Sequence, residues 1–96
     1  MMSAELVDMS IEQLNFAFDI QGLTPGQKVV LLVLANRANK KAEAWPSIES
    51  IVRQSCMSRS GVKNALRGLK ERGLLFTKTR RNRANVYHLT LDQNLT

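Results

Sequence analysis

The sequence predicts a mainly helical domain with one small β-hairpin, and three observations predict it. Within Ser47–Leu69, two short apolar-periodic runs flank the four-residue break Ser55-Cys56-Met57-Ser58, the pattern of two helices joined by a tight turn. Before them, Gly22-Leu23-Thr24-Pro25 opens a strongly apolar helix-length segment. After them, two strand-like runs enclose a polar turn containing three arginines.

Each element has a local reason. Residues 1–21 are ambiguous: Ile11, Leu14 and Phe18 suit one helix face, whereas Phe16, Phe18 and Ile20 alternate as in a strand. They are too apolar to float free and are expected to pack, or to form a dimer contact. Thr24 can cap the next helix, Pro25 suits its first position, and Gln27 can close a capping box. That helix should run to about Ala38. Its VVLLVLA centre has no polar face, so it needs cover on more than one side. Pro46 forces Trp45 to be extended, which suggests a short strand with Trp45 as a core anchor.

Ser47 can cap a helix to about Ser55, with Ile48, Ile51 and Val52 facing inward. Ser58 can cap the next, in which Val62, Ala65, Leu66 and Leu69 form a clean inward stripe. Gly73 is placed to end it as a left-handed cap. Leu74–Thr79 and Val86–Leu91 then read as two strands around Arg80–Asn85. Helix, short strand, helix, turn, helix and a basic-tipped two-stranded hairpin describe a winged helix-turn-helix. The organisation expected is an N-terminal extension at 1–21, the winged domain at 22–91 and a tail at 92–96.

Charge narrows the partner. Net charge is +6, and residues 53–83 hold ten of the fourteen Lys and Arg with Glu71 as their single acid. So lopsided a block is the footprint of a polyanion. The longest apolar run, Val29–Ala35, falls well short of the ~18 residues of a membrane span. Early Glu5 and Asp8 do not fit a secretory signal, and the lone Cys56 suits a reducing compartment. The expected location is the cytoplasm, nucleoid-associated or in a host cell, with no membrane partner.

With the apolar stripe inward, the second helix of the pair presents Arg59, Ser60, Lys63, Asn64, Arg67 and Lys70 outward. Arginine can pair with guanine O6 and N7, and asparagine with adenine N6 and N7. Residues near the helix start reach deepest into a major groove, so Arg59, Ser60, Lys63 and Asn64 are the base-reading candidates. Arg67 and Lys70 lie further along and suit phosphate, as do Ser47 and Ser58 with the helix N-termini they cap. The hairpin tip supplies Arg80, Arg81, Asn82, Arg83 and Asn85 for minor-groove or backbone contact.

Catalytic readings find little support. His88 is the only histidine and is expected on an exposed strand position; no Cys-x-x-Cys, nucleophile motif or phosphate-cradling glycine loop is present. Cys56 is expected to pack in the tight turn. No cofactor, metal or small-molecule ligand is implied.

In their order and spacing, LTPGQKVVLLVLANRAN, AWPSIESIV, SRSGVKNALRGLKERGLL and NVYHLT resemble winged helix-turn-helix domains of phage and plasmid replication-initiation proteins and related small phage regulators. The resemblance runs from Leu23 to Thr90. It implies a recognition role in the major groove for Arg59, Ser60, Lys63, Asn64 and Arg67, and flanking contacts for Arg80, Arg81 and Arg83. Two positions depart from the family pattern. Cys56 stands where the turn usually has glycine, at a cost of about 1 kcal/mol if the backbone is left-handed there. Gly61 stands where a threonine-like side chain is common.

The expected function is therefore sequence-specific binding of double-stranded DNA by a phage or mobile-element transcriptional regulator. It would act by occupying its site, as a homodimer through residues 6–38. The short chain favours this over an origin-binding module of a replication initiator, which would become first choice for a fragment. A winged helix used for protein contacts, its basic face incidental, is the alternative of a different class.

Overall fold

A computed structural model of the chain describes residues 11–79 and 85–92. Its elements are α1 (Ile11–Asp19), α2 (Pro25–Arg37), β1 (Glu43–Ala44), α3 (Ile48–Ser55), α4 (Arg59–Glu71), β2 (Leu75–Thr79) and β3 (Asn85–Leu89). The strands form one antiparallel sheet in the order β1-β3-β2.

The ambiguous N-terminal segment is helical from Ile11, although the face suggested by Ile11, Leu14 and Phe18 is not the one that packs. Gln13 and Ala17 are buried, Leu14 and Phe16 are partly covered, and Ile11 and Phe18 remain more than half exposed. The small side chain at Ala17 lies in the core, and Ile20 closes the packed face after the helix ends. Lys28 of α2 then fixes the end of α1. Its ammonium donates to the carbonyls of Ala17, Phe18 and Ile20 at 2.8, 2.8 and 2.6 Å, a cationic cap on a helix C-terminus.

The start of α2 has the predicted capping box. The Gln27 amide donates to Thr24 Oγ1, and the Thr24 amide donates to Gln27 Oε1, each at 3.1 Å. Its apolar centre is covered from several sides, with Val30, Leu31, Leu34 and Ala35 fully buried among α1, α3, α4 and β1. Only Val29 of that run is notably exposed. The α2–α4 approach is close: a Cβ at Gly68 would collide with the Gln27 side-chain nitrogen.

Asn39 organises the link to the sheet, accepting from the amides of Lys41 and Glu43 through Oδ1. The short strand is Glu43–Ala44, and it pairs with β3 rather than standing apart from the hairpin, making a three-stranded sheet. Trp45 follows it and is 52% exposed, so the expectation of a core anchor does not hold. Ala44 before it enters the core, and Pro46 after it is buried as well. His88 also differs from the exposed residue expected. It is half-buried, stacked on the Phe76 ring at 4.8 Å between centroids, with Glu43 Oε2 3.7 Å from Nδ1.

Two helix endings frame α4. α3 ends at Cys56 in the left-handed conformation (φ 59°, ψ 29°), its amide bonded to the Val52 carbonyl. Cys56 is exposed and adds no packing, contrary to expectation. α4 ends as predicted at Gly73 (φ 73°). The Gly73 amide donates to Lys70 O and the Leu74 amide to Leu69 O, the paired bonds of a Schellman motif, with Leu69 and Leu74 both buried.

Candidate nucleic-acid interface

The surface begins with two serine caps. Ser47 Oγ accepts from the Ser50 amide at 3.1 Å, and Ser58 Oγ accepts from the Gly61 amide at 3.0 Å. Both serines are exposed, and a hydroxyl that accepts a capping bond still carries a proton of its own. Met57, between the two helices, is held over α2 and α4. Its Cε would lie 3.0 Å from a Cβ at Gly26 and 3.5 Å from one at Gly61. A Cβ at Gly61 would also approach Ser58 Oγ to 3.1 Å, so the absent side chain there gives room to the turn and its cap.

α4 buries Val62, Ala65, Leu66 and Leu69 and exposes Arg59, Ser60, Lys63, Asn64, Arg67 and Lys70, the division the sequence predicts. Ser60 Oγ lies 3.4 Å from Ser58 Oγ. Lys63, Arg67 and Lys70 line one cleft of about 300 Å³ between α4 and β3, opposite Asn85 and Tyr87. Lys63 thus stands with Arg67 and Lys70, which the sequence assigns to the backbone, although its place near the helix start puts it among the base-reading candidates. Tyr87 is buried, and burial pushes its phenol above the ordinary range, leaving a neutral wall to a basic cleft.

A second cleft of about 400 Å³ shares Ile48, Asn85 and Tyr87 with the first and reaches Ser47, Glu49 and Arg59. Here the Arg59 guanidinium is hydrogen-bonded to the Glu49 carboxylate. That hydrogen bond, then Glu49's own amide and the charges of Arg59 and Lys63, holds the Glu49 carboxyl below the usual carboxylate range. No sequence pattern marks Glu49 or Tyr87 as part of this surface. The Glu49–Arg59 pair bridges a turn and follows no helical spacing, and Tyr87 was legible only as a strand residue.

Asn85 is exposed at the start of β3, opposite Thr79 in the last described pair of the hairpin. Arg80, Arg81, Asn82 and Arg83 lie outside the described residues. Among the described residues, no helix is long and apolar enough to cross a membrane, and no three His, Cys, Asp or Glu side chains cluster to hold a metal.

Two helices joined through a left-handed turn, with an antiparallel sheet behind the second, define a winged helix-turn-helix domain. The chain belongs to the helix-turn-helix domain family, whose sequence model matches residues 21–75. That match takes in the α2–α4 region and stops at the first residue of β2, so the hairpin is established by the sheet itself. A comparison with curated proteins found no match.

Proposed function

We propose that this domain binds double-stranded DNA sequence-specifically, α4 entering the major groove and the hairpin meeting the flanking backbone or minor groove. The observation that carries this reading is the face of α4. Five cationic or amide side chains and Ser60 are exposed on a helix whose opposite face is fully apolar and buried. In this reading Arg59, Ser60 and Asn64 contact base edges. Lys63, Arg67 and Lys70 grip the phosphate strand in the cleft facing Asn85, and Ser47 and Ser58 donate to phosphates beside the helix N-termini. Arg80, Arg81 and Arg83 extend the contact from the sequence between the paired strands.

Such a protein acts by occupying a promoter or operator, a regulator of the small phage or mobile-element type that its sequence resembles. A homodimer on a two-part site is the assembly favoured by Ile11 and Phe18, which lie 55% and 58% exposed on α1.

Binding measured by fluorescence anisotropy across a salt series tests the proposal. Affinity for duplex DNA should fall steeply with salt. Replacing Lys63, Arg67 and Lys70 together by alanine should flatten the log–log slope by about 2–3, at roughly 0.9 per phosphate contact. Asn64→Ala should relax sequence preference, whereas Arg81→Ala should weaken all sequences alike. Absence of duplex binding at low salt would sink the reading.

A further inference from the structure

Glu49 is the single acid between residues 44 and 70, and it sits on the surface that the proposed function turns toward phosphates. A carboxylate there repels DNA. As an acid in the first turn of α3 it favours the helix dipole, but an acid elsewhere in that turn would serve the same purpose. What is particular to Glu49 is its partner. Among the described residues, Arg59 is the one basic residue of α4 drawn into an ion pair, across the turn and ten positions away.

The pairing changes what Arg59 can recognise. An untethered arginine at a helix start satisfies any phosphate that passes, and so contributes affinity without sequence information. With Nη2 donating to Glu49, the guanidinium is drawn toward the first turn of α3 and part of its charge is already answered. Several N–H groups remain, and a planar fork matches the two acceptors on a guanine edge better than a single phosphate oxygen. A nearby negative charge also penalises non-specific docking, which widens the gap between right and wrong sequences.

We propose that Glu49 is a positioning residue that orients Arg59 to read one guanine and raises sequence discrimination at the expense of non-specific affinity. This inference rests on the DNA-binding reading above.

The test uses the full chain with two duplexes of equal length, one selected by the wild-type protein from a random pool and one scrambled. Glu49→Gln should bind the scrambled duplex more tightly and steepen its salt slope by about 0.9, as Arg59 gains one phosphate. The ratio of specific to scrambled affinity should fall about fivefold or more, the low end of one bidentate arginine–guanine pair. Reselection with Glu49→Gln should lose preference at one G·C pair and keep it elsewhere. In an Arg59→Ala background, Glu49→Gln should leave the ratio unchanged.

A ratio unaltered by Glu49→Gln, with both affinities rising equally, would reduce Glu49 to a repulsive charge and overturn the assignment. A full effect persisting without Arg59 would overturn it too. Glu49→Asp guards against a trivial folding defect, because it keeps the charge at the helix start and shortens the reach to Arg59. It should lose discrimination as Glu49→Gln does, and a wild-type ratio in that variant counts against positioning. Wild-type protein that binds neither duplex at low salt would remove the DNA reading and this inference together. Wild-type binding with an unmoved ratio removes only the inference.

Discussion

Cys56 holds a left-handed backbone conformation (φ 59°) without the glycine that makes such a position easy, and its side chain is exposed. Nothing is gained in packing to offset the strain. Cys56→Gly should therefore stabilise the domain by about 1 kcal/mol, raising the midpoint of thermal unfolding by roughly 4–8 °C for a domain of this size. Ala42 provides the control. It has the same strain (φ 61°), but its methyl is packed against the core, so Ala42→Gly forfeits about 0.8 kcal/mol of burial and should come out near neutral. Equal midpoints for wild type and Cys56→Gly would show that the turn tolerates the side chain without strain. The Cys56 departure was visible in the sequence because turn chemistry is local. The Glu49–Arg59 contact was not, since its two residues meet only once the turn between α3 and α4 has set the helices side by side.

At the scale of elements, the legible features are those whose partners lie within a few residues. The Thr24–Gln27 capping box, the serine caps and the Gly73 ending all follow sequence patterns that the backbone confirms. The pairing of β1 with β3 depends on residues more than forty positions apart, and no local pattern announced it. The attachment of α1 is likewise tertiary. It depends on Lys28, whose ammonium bonds three carbonyls at the end of α1, and on Arg72, whose Nη1 donates to Gln21 O at 3.1 Å. Lys28→Met keeps the length and apolar stem but removes the cation. A charge-assisted hydrogen bond is typically worth ~1.5–3 kcal/mol, so a loss of about 2 kcal/mol is expected, tempered by the exposure of the Phe18 carbonyl contact. Amide hydrogen exchange should show α1 losing protection ahead of α4. Uniform loss across all helices would mean that α1 is cooperative with the rest and that Lys28 is no separate fastening.

For the molecule as a whole, the sequence shows a division of labour in charge: six of the eight acids precede residue 53, and the basic residues concentrate in 53–83. It does not show which apolar residues of α1 are core and which are surface. Ile11 and Phe18 fit a buried stripe on paper, yet the close approach of α1 to α2 favours Ala17 on the inner face and leaves the larger side chains outside. Ile11 and Phe18, seven positions apart on one exposed face of α1, are the contact we propose for self-association. In the proposed dimer, Phe18→Glu should leave monomer stability within about 0.5 kcal/mol, because the ring is mostly exposed and its loss opens no cavity. Sedimentation equilibrium should show the wild-type protein as a dimer at micromolar concentration and the variant as a monomer. On duplex DNA the wild type should protect two half-sites about one helical turn apart or a multiple of it, and Phe18→Glu should retain contact with a single half-site at reduced affinity. A wild-type monomer at high micromolar concentration, with and without DNA, would eliminate the dimer. It would leave the α4 reading standing, since each recognition helix is built and capped within one chain.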